Sequence, residues 1–336
     1  MAHELDFSLG RAAIAFQGAV PWHGFGETIQ PDDTLETIQH KAGIDYRVLR
    51  GATHFERKFV GTDGSEHSSL DAIKGSVTLY RSDTGAPLSI VTDRYQVVQP
   101  HDVIEFYRDL VERYGYQIEV AGALKGGRKI WALANTKNAT VLRGGDAIKG
   151  YLLLATSYDG SMSTQARFTS VRVVCNNTLT IATEGRPDVT VPHSTKFDAD
   201  KVKLDLKIGD AWANFEKSAQ AMTQRVVGRD ETVEFLMDIY FGLAGKEQIA
   251  EFHSVEGNDA RVKKVMDRLT NSLFNSPGAH LASARNTLWG VLQAVTHDID
   301  HTAPARTQEN RLNKAWFGPG EAMKQRAFAK AVAMAA

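Results

Sequence analysis

The sequence predicts an α+β protein, a strand-rich antiparallel sheet domain with packed helices followed by a mainly helical part. Short β-type segments separated by Gly- and Asp-containing turns follow one another through the first half of the chain. Later, apolar residues recur at four-residue steps, as at Ala211, Phe215 and Ala219, which is typical of an amphipathic helix. These patterns predict a strand-rich domain over residues 1–200, with an irregular N-terminal arm, and a helical region over residues 201–336.

The composition is that of a folded globular protein. The 336 residues are 43% hydrophobic and 24% charged, unlike a disordered chain. No apolar run, including Tyr151–Ala155, approaches the length needed to cross a bilayer, and the N-terminus has no apolar signal core. Cys175 is the only cysteine, which excludes an internal disulfide and a zinc site made of several thiolates. We therefore expect a cytoplasmic protein with no membrane partner.

The elements of the strand-rich part begin with a short helix. Thr34 is a good cap for a helix over Leu35–Lys41, and Gly43 is suited to end it. His101–Tyr114 has helical spacing of its apolar residues. Between these helices five β-type segments are predicted, at Tyr46–Arg50, His54–Val60, Ser76–Arg81, Leu88–Thr92 and Tyr95–Gln99.

A hairpin is the clearest β signal. Gln117–Leu124 and Arg128–Ala134 flank Lys125-Gly126-Gly127, where glycine can supply the positive φ of a tight turn. The following strands are predicted at Asn138–Leu142, Gly150–Tyr158 and Ser163–Val171. For Val173–Ala182 the pattern does not distinguish a buried strand from a helix.

The helical part ends in an unusual aromatic segment. Helices are predicted over Glu231–Phe241, Asn258–Phe274 and Ala282–Ile299. Near the C-terminus Trp316-Phe317 precedes Gly318-Pro319-Gly320, which predicts a rigid aromatic anchor beside a turn. A short helix is expected to follow and to pack back on this anchor.

Charge is unevenly distributed although the net charge is only −1. Residues 116–176 contain eight Lys or Arg and three Asp or Glu, a surplus of five positive charges. Such a surplus suits a surface that faces phosphates. The same pattern is compatible with solvated strand ends and turns.

Four segments carry a resemblance to a known family. They are the opening Met1–Leu5, the segment Pro21–Gly26, the string Arg172–Leu179 and the closing Asn313–Gly320. Together they resemble the phage/plasmid-like proteins, a family built on a domain of unknown function carried by bacteriophages, prophages and plasmids. The resemblance runs from Met1 to the last helix and implies the cytosol of a bacterial host. It implies no reaction.

The leading hypothesis is a non-catalytic protein that binds and anneals single-stranded DNA during phage recombination. The predicted hairpin block with accessory helices resembles phage single-strand annealing proteins in architecture, which implies a homo-oligomer and a host or phage single-strand-binding protein as partner. Cations would contact phosphates and aromatic rings would stack on bases. The predicted nucleic-acid-binding residues are Lys125, Arg128, Lys129, Trp131, Arg167, Phe168, Arg172 and Asn176.

The first alternative is a metal-dependent enzyme acting on nucleic acid or nucleotides. His297 and His301 are four residues apart, so they share a helix face, and Asp298 or Asp300 could assist them in binding a cation. Histidines close to a helix C-terminus are also favoured by the helix dipole without any metal. Because no P-loop, dinucleotide fingerprint or nucleophile elbow is present, no cofactor or catalytic residue is predicted.

The second alternative is a protein-interaction component of a phage or plasmid. Trp289 and the Trp316-Phe317 pair would then be interface anchors. In the N-terminal arm His3, Trp22 and His23 could be functional, but the sequence favours Trp22 and Phe25 as hydrophobic residues that pin the arm to the core.

Overall fold

The computed structural model describes residues 6–8, 10–17, 26–181, 189–253, 258–306 and 308–336. Its strands are β1 (Ile14–Phe16), β2 (Glu27–Thr28), β3 (Val48–Val60), β4 (Glu66–Arg81), β5 (Pro87–Thr92), β6 (Gln117–Leu124), β7 (Lys129–Leu142), β8 (Asp146–Ser157), β9 (Thr164–Arg172), β10 (Asn177–Ile181) and β11 (Val189–Val191). Its helices are α1 (Leu35–Lys41), α2 (Pro100–Glu105), α3 (Arg108–Tyr114), α4 (Ala199–Leu206), α5 (Ile208–Gln224), α6 (Arg229–Phe241), α7 (Lys246–His253), α8 (Asn258–Asn275), α9 (Leu288–His297), α10 (Gln308–Phe317) and α11 (Pro319–Ala335). A π-helical turn, Asp298–Thr302, extends α9.

The larger sheet of the described residues has the strand order β10-β9-β8-β7-β6-β1-β2. Its pairs are antiparallel except for β1 with β2, and β11 pairs with β9 farther along the edge that β10 occupies. Long strands dominate, since β7 and β8 have 14 and 12 residues. The predicted α+β class is therefore confirmed, with a meander of long strands at the centre and most helices after it.

Alternation along β7 assigns residues to the two faces of this sheet. Ile130, Ala132 and Ala134 point into the core that α1 to α4 cover, and each is fully buried. Trp131 and Leu133 point to the opposite face, where a second apolar cluster lies. Both faces of the central strands are covered, as expected for a strand with apolar residues at consecutive positions.

The smaller sheet, in the order β3-β4-β5, carries a projecting two-stranded arm. We define the arm as residues 54–73, the outer parts of β3 and β4 with their connecting turn. The base of the hairpin packs on the main core through Val48 and Leu79. Beyond it almost every residue is exposed, and Leu70 has a relative exposure of 75%. Seven residues of β3 extend the arm by about 20 Å.

The later helices form their own core on the sheet. Phe168 and Leu179 lie in one apolar cluster with residues of α5, α6, α8, α9 and α11. Phe215 of α5 contacts the rings of both Trp289 and Phe328, with centroid separations of 6.4 and 6.0 Å. These large aromatic side chains give the helices a continuous apolar contact with the sheet.

Local hydrogen bonds explain where the predicted elements differ from the structure. Tyr95–Gln99 is not a strand, because the Gln99 side chain bonds to both the N–H and the carbonyl of Val48, at 2.9 and 3.0 Å. The predicted helix His101–Tyr114 is divided at Phe106–Tyr107 into α2 and α3. In α9 the Thr287 hydroxyl caps the Gly290 N–H at 3.1 Å, so this helix begins six residues later than predicted.

A buried carboxylate joins the sheet to the helical part. Asp146 is completely buried and accepts two bonds from Nε of Arg172, at 2.8 and 3.0 Å. Ser283 Oγ donates to the same carboxylate at 2.6 Å, and Trp289 Nε1 donates at 3.1 Å. Arg172 also donates to the Gly278 carbonyl at 3.0 Å. The Asp146 carboxylate therefore connects four parts of the chain, namely β8, β9, the 276–287 connection and α9.

Removing this carboxylate should destabilise the fold strongly. We expect Asp146→Ala to lower the free energy of unfolding by about 3–5 kcal/mol, because it leaves a buried guanidinium without its counter-charge. Ser283→Ala should cost less, about 1–3 kcal/mol, since one donor is lost. Urea denaturation monitored by circular dichroism measures the free energy of unfolding of both variants.

The matched control is an exposed ion pair of the arm. Arg57 Nε and Asp71 Oδ2 are 2.7 Å apart on side chains that are 55% and 38% exposed. Asp71→Ala should cost no more than about 1 kcal/mol. An equal cost for Asp71→Ala and Asp146→Ala would contradict the central role of the buried pair.

Candidate nucleic-acid interface

The tip of the β6–β7 hairpin is a rigid turn with two cationic side chains. Lys125, Gly126 and Gly127 all have positive φ, at 56°, 66° and 87°, which confirms the predicted turn. A Cβ at Gly127 would lie 2.5 Å from the Tyr46 hydroxyl, which itself donates to the Gly127 carbonyl at 3.1 Å. Lys125 is half-buried and Arg128 is exposed. The backbone of the tip is therefore rigid, and it carries two cationic residues at or near the surface.

A buried arginine supports the tip from below. Arg81 is completely buried, pairs with Asp6, and donates to Asp83 Oδ2 at 2.6 Å. Its guanidinium lies 3.9 Å from the centroid of the Tyr46 ring. Burial raises the pKa of Tyr46, so its hydroxyl remains a hydrogen-bond donor at neutral pH. This network fixes the turn relative to the smaller sheet.

Aromatic residues from the end of α10 cover the sheet face next to the tip. The Trp316 ring contacts Trp131 edge-on, with centroids 5.4 Å apart. Lys129 Nζ donates to Asn313 Oδ1 at 2.8 Å and lies 5.8 Å from the Phe317 ring centroid. These contacts bring the predicted residues Lys129 and Trp131 together with the predicted aromatic anchor.

Arg167 ties the same helix end to β9. Its Nη1 donates to the Trp316 carbonyl at 2.7 Å, and its Nη2 donates to Gln165 Oε1 at 2.5 Å. Arg167 is 8% exposed, and Lys129 and Trp131 are 5% and 3% exposed. These three predicted residues therefore form an inner layer beneath the end of α10.

The outer layer differs from the surface that the sequence predicted. The residues that remain accessible are Lys125 and Arg128 at the tip and Lys314, Trp316 and Phe317 at the end of α10, and Lys129 and Trp131 link the two elements. We call the five accessible residues the tip surface. Lys314 is exposed, and Trp316 and Phe317 are half-buried. The three residues of α10 are not among the predicted nucleic-acid contacts, although Lys314 precedes Phe317 by three positions, a spacing that places both on one helix face.

Three predicted contacts lie elsewhere. Phe168 points to the opposite face of the sheet, where its buried ring contacts Trp212 with centroids 5.9 Å apart. Arg172 is 2% exposed because Asp146 holds it in the interior. Asn176 is exposed with φ of 54°, but it follows the far end of β9, about 30 Å along the strands from the tip.

The predicted metal cluster is divided among separate internal contacts. The rings of His297 and His301 do face each other, with centroids 5.0 Å apart. Asp298 is completely buried and accepts bonds from Tyr240 at 2.8 Å and from Arg268 at 3.0 Å. Its carboxylate is therefore held by the protein itself.

Asp300 has a second, separate set of partners. Lys324 Nζ donates to it at 2.9 Å, and the backbone N–H of Thr178 donates at 2.7 Å. Lys324 is completely buried, so this ion pair joins α11 to the π-helical turn inside the fold, and Thr178 connects both to β10. Among the residues that the structure describes, no group of three or more His, Cys, Asp or Glu side chains is placed to hold a metal ion.

The single cysteine and four residues of the N-terminal arm lie apart from the tip surface or outside the described residues. Burial raises the pKa of the Cys175 thiol, which is 8% exposed, and this favours the unreactive protonated form. His3, Trp22, His23 and Phe25 lie outside the described residues. No helix within the described ranges is both long and apolar enough to cross a membrane.

The fold and the tip surface define an α+β protein with a rigid basic hairpin turn beside an aromatic helix end. A family model for a domain of unknown function, DUF932, matches residues 87–316, from the start of β5 to Trp316. The chain therefore belongs to the DUF932 family. No curated protein and no solved structure matches it.

The histidine pair should make stability depend on pH. Burial, and then the neighbouring His301, lower the pKa of His297 from 6.5 to about 4. Between these two values the unfolded chain binds more protons than the folded chain, so the free energy of unfolding should fall as the pH falls from 6.5 to about 4. Urea denaturation at several pH values measures this slope.

His297→Gln should make that slope shallower, because it removes the group that resists protonation. His54→Gln, on the exposed arm, is the matched control and should leave the slope unchanged. An identical pH dependence in wild type and His297→Gln would refute the assignment.

Proposed function

We propose that this protein binds single-stranded DNA through the tip surface and promotes annealing during recombination in a phage or plasmid. The observation that carries the proposal is that the cationic hairpin turn and the aromatic end of α10 lie next to each other at one end of the sheet. Lys125, which has Asp159 nearby, and Arg128 lie on the rigid turn of the hairpin from which Lys129 reaches Asn313 and Phe317 of α10. Single-stranded DNA presents the matching pair of features, phosphates and unstacked bases.

The phosphates would contact the hairpin. The Lys125-Gly126-Gly127 turn cannot easily move, because Gly127 lies against Tyr46 and Arg81. A rigid cationic turn loses little conformational entropy on binding. Each phosphate neutralised releases counterions, so the affinity should fall with salt.

The bases would stack on the helix end. Trp316 and Phe317 are half-buried, so part of each ring is accessible while the rest is held by the sheet. Stacking on an aromatic ring contributes about 1–3 kcal/mol per base and tolerates any sequence. Such a surface therefore suits a protein that binds strands without reading their sequence, as annealing requires.

The proposed homo-oligomer is supported by the arm. The outer edge of β3 from His54 to Val60 has no strand partner among the described residues, and its exposed side chains include Phe55 and Phe59 at 46% and 42%. An isolated two-stranded ribbon with a free apolar edge is marginal in water. With two Lys or Arg and four Asp or Glu, the arm is poorly suited to phosphates.

The edge of β3 is self-complementary. If two copies pair antiparallel with Arg57 on the two-fold axis, Glu56 of each lies opposite Lys58 of the other. Phe55 then lies opposite Phe59. Arg57 is already neutralised by Asp71 in its own chain, at 2.7 Å, so the central pair carries no unbalanced charge. We infer that two copies join along this edge.

The DNA contact is tested by the salt dependence of binding. Fluorescence anisotropy of a labelled single-stranded oligonucleotide gives the affinity as a function of salt. For the double variant Lys125→Ala and Arg128→Ala, we expect the slope of log K against log salt to fall by about 1–2, because two phosphate contacts are lost. The midpoint of thermal unfolding should not change.

Lys263→Ala with Lys264→Ala, an exposed pair on α8, is the matched control and should keep the wild-type slope. Phe317→Leu should weaken binding about fivefold or more at an unchanged slope, because stacking is lost and charge is not. Absence of binding by the wild type at low salt, or equal slopes for the two double variants, would reject the tip surface.

The arm contact is tested by exchanging charges. Glu56→Lys alone should weaken self-association about tenfold, because it places lysines opposite each other at both symmetry-related positions. Lys58→Glu alone should do the same, and the combined variant should recover the wild-type value. Sedimentation velocity over a range of protein concentrations measures these changes.

Glu66→Lys changes an arm charge on β4, away from the β3 edge, and should have no effect. A wild-type protein that remains a monomer at every concentration would rule out the arm interface. So would a double exchange that fails to restore association.

A further inference from the structure

The helical part contains a cavity that the proposed DNA-binding surface does not use. It has a volume of about 750 Å³ and lies between α6, α8, the 276–287 connection and α9. This is within the range of about 300–1,000 Å³ typical of small-molecule sites. The cavity is therefore large enough for a ligand with a sizeable apolar body.

The interior of the cavity is mainly aliphatic. Its apolar lining includes Val233, Leu236, Met266, Leu273, Phe274 and Val291. Leu236 and Val291 are buried at the base, whereas Phe274 is 65% exposed and marks the opening. Thr232 and Thr270 add hydroxyl groups to the wall, and Asn286 and Thr287 lie where the 276–287 connection meets α9.

The polar lining has one sign of charge. Arg229, His280 and Arg285 line the cavity, and the described lining contains no Asp or Glu. All three are exposed, and no ion-pair partner of Arg229 or Arg285 is found among the described residues. The nearby Glu231 is instead held by Arg225, with Nη2 and Oε1 2.5 Å apart. The cavity thus joins an apolar interior to a cationic rim.

Two helix N-termini meet at this rim. Val227 N–H donates to the Asn286 carbonyl at 3.2 Å, and Leu288 N–H donates to the Arg225 carbonyl at 2.9 Å. These bonds hold the starts of α6 and α9 side by side, and both starts line the cavity. The first turn of α9 has no acidic residue, so the positive end of its dipole adds to the charges of the arginines, whereas Asp230 and Glu231 offset the dipole of α6.

We propose that this cavity binds an aliphatic carboxylate, with its chain between α6, α8 and α9 and its carboxylate at Arg229 and Arg285. An aliphatic chain matches the interior, because the side chains of α6 and α8 that line it are mostly aliphatic and offer few hydrogen-bonding groups to the edge of a nucleobase. An anionic head matches the two arginines, which can bind a carboxylate in bidentate geometry. The site is independent of the proposed DNA surface.

Isothermal titration calorimetry with three probes of equal chain length tests both the binding of the aliphatic chain and the preference for an anionic head group. Decanoate, below its micelle concentration, should bind with a stoichiometry of one. Decan-1-ol should bind at least tenfold more weakly, because it lacks the charge, and decyltrimethylammonium should not bind. Equal affinity for decanoate and decan-1-ol would overturn the anionic part, and absence of decanoate binding would overturn the whole proposal.

Variants locate the site. Arg229→Gln and Arg285→Gln should each weaken decanoate binding about tenfold. Arg261→Gln, on α8 but outside the cavity lining, is the matched control and should bind like the wild type. Val233→Trp should abolish binding by filling the interior, with near-ultraviolet circular dichroism confirming that the fold is retained. Unchanged binding in Val233→Trp would show that decanoate associates elsewhere and would overturn the proposal.

Discussion

The buried carboxylate of Asp146 is the constraint on which the rest of the structure depends. A charge removed from water must be matched by counter-charge and donors, and here Arg172, Ser283 and Trp289 supply them from separate parts of the chain. Because its partners come from β9, from the 276–287 connection and from α9, these segments must be docked before the charge is satisfied. The helices thereby acquire a fixed position on the sheet.

The same principle operates at the other end of the sheet. Arg81 is buried between Asp6 and Asp83 beneath the hairpin tip. Tyr46 packs on Arg81 and donates a hydrogen bond to Gly127, which holds the turn in place. The tip surface consequently combines a turn that cannot move with aromatic rings held by Lys129 and Arg167. Arg81, Lys129 and Arg167 are buried where they stabilise the tip and the end of α10. Fewer cations therefore remain at the surface, and the candidate interface is small.

The proposed functions occupy separate regions of the molecule. Single-stranded DNA would bind at the tip surface, a second copy would pair with the arm, and an aliphatic carboxylate would enter the cavity between α6, α8 and α9. Each region matches its ligand by a different property: a cationic turn beside aromatic rings, a self-complementary strand edge, and an aliphatic interior with a cationic rim. None requires the others, so each can be tested alone.

Local signals in the sequence determined the α+β class, the Lys125-Gly126-Gly127 turn, helix α1 and the Trp316-Phe317 anchor, because propensity and turn chemistry act over a few residues. Tertiary structure alone decided which cations remain at the surface. Arg172 and Arg128 have the same side chain, but only Arg172 has a buried carboxylate within reach, and no local pattern encodes that distance. The cavity likewise exists only where helices far apart in sequence meet.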